Sequence, residues 1–236
     1  MCTASNSGSV GRKGIVMEKS SFGISSFGLR VIAVILMTID HIGAVLFPHV
    51  LILRIIGRLS FPIFVFLMVE GYFHTRDVKK YLTRLLVFAV ISEPFFDVVF
   101  HHSLLYARGQ NIFMTLFLGL LMVHICEKTT NKGFNVFTVL IIGLIAEIGY
   151  CDYGALGVIM FFVFYGLREH ILAQFVCLAF VNTFFMGIIQ GFAALAVFPT
   201  ALYNGKPGSK KFKYLFYMYY PLHLAILGGI RYVIRK

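Results

Sequence analysis

The sequence predicts an all-α fold, a polytopic bundle of about nine transmembrane segments. Three observations predict it. Of 236 residues, 59% are hydrophobic and only 13% charged, where a soluble domain carries about a quarter charged residues. Mean hydropathy is +0.86. Apolar runs also recur at lengths close to the roughly 20 residues a helix needs to cross a bilayer.

In chain order, residues 1–22 are a Ser/Gly-rich, lightly basic leader without the apolar core of a signal peptide. Disorder is expected there, and Met17 is a candidate start. A single membrane domain, 23–236, follows. Its expected segments are 25–47, 50–73, 81–100, 111–126, 134–149, 153–168, 170–186, 188–203 and 214–233. The seventh and eighth are either two short helices broken near Gly187–Gly191, or one long span with a re-entrant piece. Pro62 is expected to kink the second segment, and Pro221 with His223 to interrupt the last. The connections are too short for a soluble domain, and no internal repeat is present.

Net charge is +11. In a membrane protein such an excess gathers in cytoplasmic loops, and no nucleic-acid motif accompanies it, so nucleic-acid binding is excluded. With the N-terminus inside, fifteen of the 21 Lys/Arg fall on the cytoplasmic side, including Arg30, Arg76, Lys79, Lys80 and Arg84. Arg231, Arg235 and Lys236 then fall outside, against the rule, which implies a tilted last helix or a miscounted segment near 170–203. The four cysteines lack metal-type spacing, so no structural zinc or other metal and no disulfide framework is expected.

Ionisable side chains at bilayer depth are costly and mark sites or pathways. This chain has many: Asp40, His41, Arg54, Arg58, Glu70, Glu93, Asp97, Glu147 and His223, with Asn111 and Asp152 near segment ends. In "RVIAVILMTIDHIG" Arg30 and His41 are eleven positions apart, within about 20° of one helical face and about 16 Å apart along it. Asp40 and His41 point about 100° apart, so whatever orients His41 comes from another helix. Arg54 and Arg58 share a face at i, i+4, with Gly57 allowing a close helix approach.

The stretches "RVIAVILMTIDHIG", "GRLSFPIFVFLMVEG", "GQNIFMTLFLG", "DYGALGVIM" and "YMYYPLHLAILG", in that order, resemble the TraX family of integral-membrane acyltransferases. The basic residue, ten intervening residues and histidine of the first helix also resemble the signature of a wider class of membrane acyltransferases. The resemblance implies transfer of an acetyl or other acyl group from coenzyme A, as co-substrate, to an amine or hydroxyl acceptor. A protein N-terminus, a peptide or a glycan would qualify. The implied location is a bacterial cell (cytoplasmic) membrane. His41 is the expected general base, with a covalent acyl-histidine the lesser variant and His223 the competing base. Asp40, Glu93 or Asp97 would orient a histidine or bind an amine. Arg58, Asn111 or Tyr220 would stabilise the oxyanion, and Arg30, with Arg58, would bind the donor. The alternative is a small proton-coupled transporter using the same buried groups.

Overall fold

The computed structural model describes residues 23–209 and 213–234, and among them the regular structure is helical. The leader 1–22, Lys210, Lys211, Arg235 and Lys236 lie outside the described residues. Helix α1 is Ser26–Val45, α2 Leu51–Gly57, α3 Ser60–His74 and α4 Val78–Phe100. Then come α5 Ile112–Cys126, α6 Lys132–Ile148, α7 Gly154–Gly166 and α8 Ile171–Met186. The chain continues through α9 Ile188–Gly191, a 3₁₀ turn Phe192–Ala196 and α10 Val197–Ala201 to α11 Lys213–Ile234.

Local chemistry fixes several starts. Ser25, Asp77, Asn111 and Asn131 each accept a backbone N–H from the first turn of α1, α4, α5 and α6, satisfying donors that have no partner within the helix. Asp77, at the exposed start of α4, is held below the usual carboxylate range by the Lys80 amide it caps. Gly187, at φ +86°, ends α8 in a conformation that L side chains rarely adopt, so the break expected near Gly187–Gly191 is present.

One expectation is met and one needs correction. The second segment, Leu51–His74, is one span interrupted at Arg58–Leu59. Pro62 lies in the first turn of α3, four residues after Arg58, so the interruption falls beside Ser60, where the proline is expected to disturb the helix. Finally, α11 runs unbroken through Pro221 and His223. A proline inside a helix costs about 3 kcal/mol, and the packing of α11 on α4 and α1 outweighs it.

Helices α5 and α7 form the centre and are buried nearly all round. They approach closely because a Cβ at Gly119 would overlap the Phe161 ring and one at Gly157 would overlap Thr115. Helix α1 packs on α2, α3 and α11, and α4 on α5 and α11. Successive segments alternate between two ends. At the basic end Arg168 pairs with Glu70 at 2.8 Å, Tyr165 donates to Glu127, and Tyr72 bonds to His124. At the far end Ala155 N–H donates to Glu147, and Arg231 donates to the Val99 carbonyl. Arg231 therefore does sit opposite the basic end.

The outer surface is apolar. Ser26–Val45 and Leu51–His74 are long and apolar enough to cross a membrane. Val90, Leu140, Leu172 and Phe184, on three peripheral helices, are 65–76% exposed. Contiguous faces of this kind suit hydrocarbon and not water, and mark a membrane protein.

Candidate active site

Two helices that meet late in the fold bring His41 of α1 and His223 of α11 together, Nδ1 to Nε2 at 2.6 Å. The rings are 5° from parallel with centroids 4.9 Å apart, the spacing of two imidazoles joined edge to edge in one plane by that hydrogen bond. The other nitrogen of His223, Nδ1, is 2.8 Å from the carbonyl oxygen of Tyr219, one turn back on α11.

This arrangement fixes the protons. A carbonyl only accepts, so His223 Nδ1 carries the hydrogen and, in a neutral ring, Nε2 keeps its lone pair. His41 Nδ1 must then be the donor to His223. The lone pair of His41 is left on Nε2. The pair is held from behind as well: Thr38 donates to the Val34 carbonyl and accepts from Tyr219, whose ring lies parallel to that of His223.

His41 lines a cavity of about 630 Å³ that runs between the helices. His223, 5% exposed, stands behind it and does not line that space. Tyr220 does line it, with its ring edge-on to His41 at 6.1 Å. Arg30 lines the basic mouth, on the same stripe of α1 as His41.

Toward the far end, Asp40 is gripped by two arginines. Arg58 donates to both carboxylate oxygens at 2.7 and 2.8 Å, and Arg54 to one of them and to the Asp40 carbonyl. Gly57 is what admits Asp40, since a Cβ there would collide with it. Arg58 also donates to Gln190, which follows the Gly187 break. Asp40 therefore orients neither histidine, and Arg58 lies beside Asp40, away from Arg30. Asp40 and Arg58 are only 13% and 14% exposed. Asp40→Leu is expected to strand two guanidinium groups and to cost about 3–5 kcal/mol, read as a lowered unfolding midpoint in detergent. An unchanged midpoint would show the cluster to be solvated.

Asn111 is fully buried and outside the cavity lining. It caps α5, donates to the Ala89 carbonyl and is bound to Glu93. Asp97 accepts from the Tyr106 amide. Neither Glu93 nor Asp97 reaches a histidine. Asp152 and Tyr153 do line the cavity, as Arg54 and Arg58 do. Tyr153 has φ +66° and stacks on Phe61 at 3.9 Å. Gln190 and Tyr153 were not singled out in the sequence. A lone glutamine in an apolar run just after a glycine break was the available signal for the first, and adjacency to Asp152 for the second.

Comparison with known proteins follows the same residues. The family described as TraX protein matches residues 26–231. The chain is 34% identical over 232 residues to the "Probable fimbrial assembly protein FimC, serogroup H1" of Dichelobacter nodosus, covering 86% of this chain and 94% of that protein. It is 33% identical over 132 residues to "Uncharacterized protein RP591" of Rickettsia prowazekii, covering 54% of this chain and 50% of that one. No solved structure matches.

Proposed function

Because this chain belongs to the TraX family, we propose that it is a multi-pass membrane enzyme that transfers an acyl group, acetyl in the first instance, from coenzyme A to an amine or hydroxyl. The observation that carries this reading is His41: a cavity-facing imidazole whose tautomer is set from behind so that its free lone pair is on Nε2. A merely structural histidine has no need of that arrangement.

The steps balance on these residues. The acceptor nitrogen or oxygen attacks the thioester carbonyl carbon while His41 Nε2 takes its proton. The carbonyl oxygen gains negative charge and receives the Tyr220 O–H. The C–S bond then breaks, and the leaving thiolate recovers the proton from the His41 imidazolium. His223 accepts from His41 Nδ1 throughout, as an orienting partner does in other histidine-based catalysts. No metal enters this scheme. The name of the Dichelobacter relative, a probable fimbrial assembly protein, makes a pilus subunit a natural first acceptor to try.

The test is purified protein in detergent with acetyl-CoA labelled in the acetyl group. Labelled acceptor, or slow His41-dependent hydrolysis, supports the reading; donor left intact with every amine and hydroxyl acceptor tried overturns it. Orientation is tested separately. On this reading the cavity's basic mouth, which includes Ser209, faces the cytoplasm, the side on which Lys and Arg gather. In a cysteine-free background, Ser209→Cys is expected to resist an impermeant reagent added to intact cells, and ready labelling would reverse the topology.

A further inference from the structure

The two ends of the cavity differ in how their charge is balanced. At the far end Arg54 and Arg58 are paired with Asp40. At the basic mouth, Arg30 from α1 and Arg84 from α4 line the cavity, and among the described residues neither takes part in a salt bridge. Phe27, one turn before Arg30, packs on Phe216 of α11, and Phe88, one turn after Arg84, packs on the adjacent Tyr217, so the two arginines flank one level of α11. Arg84 lies 5.4 Å over the Tyr81 ring, and its Nε is buried without a partner. Phenols orient a guanidinium but do not neutralise it. Two cations facing one partly buried space without a carboxylate are a poor arrangement unless an anion settles between them.

We propose that Arg30 and Arg84 form a two-arginine site for the diphosphate of the acyl donor, with Arg84 as a binding residue for that group; this rests on the acyl-CoA reading above. A diphosphate presents several oxygens to guanidinium groups whose planar forks suit them. The distance is consistent with this assignment. Eleven residues of helix place His41 about 16 Å from Arg30, a span comparable to the pantetheine arm between diphosphate and thioester. The cavity wall along that span includes Met37, Phe64, Leu67 and Met68, apolar as the dimethyl and methylene groups of the arm require. Arg84 comes from α4 and Arg30 from α1, so two helices meet the headgroup while the thread reaches His41.

The experiment compares acetyl-CoA with S-acetylpantetheine, which lacks the phosphates, binding to the full chain in nanodiscs with and without anionic lipid. Arg84→Ala is expected to weaken acetyl-CoA by about 10–100-fold, the loss of one or two charge-assisted contacts. It should leave S-acetylpantetheine unchanged, and Arg84→Lys should recover part of the loss. Inorganic pyrophosphate should compete with acetyl-CoA in the unmodified protein, which needs no variant to fold. Equal losses for both ligands would overturn the proposal, as would absent competition. Unchanged acetyl-CoA affinity in Arg84→Ala would overturn it too while leaving the acyl-CoA reading intact. An effect of Arg84→Ala seen only through anionic lipid would assign the pair to a headgroup instead. If the unmodified protein bound neither ligand, the acyl-CoA reading would fail and this proposal with it.

Discussion

A His41→Gln protein is expected to bind acetyl-CoA as the unmodified chain does and to transfer its acetyl group about 10²–10⁴-fold more slowly, the usual contribution of a general base. Glutamine keeps the size of the side chain and can donate to His223 Nε2 through its amide, so the pocket behind it stays filled. What it lacks is a lone pair able to take a proton near neutral pH. In the unmodified protein the rate should also fall on the acid side, because protonation of His41 removes the lone pair that Nε2 supplies. The His41→Gln remnant should lose that acidic limb. Single-turnover transfer, measured from pH 5 to 9 where chemistry limits the rate, checks both points. Near-normal transfer by His41→Gln would exclude it as the base, and a retained acidic limb would assign the titration to another group.

The second large effect belongs to His223, and its form separates positioning from catalysis. With His223→Leu, His41 Nδ1–H loses its acceptor and the ring is free to place its proton on Nε2, the wrong nitrogen for a base. A loss of about 10–100-fold is expected, as for other partners that act through a catalytic or ligating histidine. His223→Gln can accept from His41 through Oε1 and should recover part of it. The readout that a purely structural role would not move is the tautomer. In ¹⁵N-histidine spectra His41 should be protonated at Nδ1 in the unmodified protein and a mixture of tautomers in His223→Leu. If His223→Leu kept the single tautomer but lost activity, His223 would be packing and no more. If it exceeded His41→Gln in its effect on chemistry, the base would be His223 after all.

The sequence by itself determined the helical class, the apolar exterior and the placing of the basic loops at one end. These follow from composition and from charge near segment ends, which are local properties that no partner helix can change. It also determined that Arg30 and His41 share a stripe, because that depends only on the helical repeat. The Gly187 break was legible for the same reason. Tertiary structure decided what each polar group is for. Asp40 looked equally able to orient a histidine; it is held by Arg54 and Arg58 because α2 folds back on α1 at Gly57. Asn111, an oxyanion candidate on residue type, is consumed by capping α5 and by Glu93. His41 and His223, rivals 182 positions apart, are partners, and the Tyr219 carbonyl ranks them by fixing a proton. Arg84 counted only as loop charge until α4 turned it onto the cavity that Arg30 also lines. In each case the deciding contact joins helices distant in sequence, and hydrophobic periodicity carries no record of which polar groups will meet across such a contact.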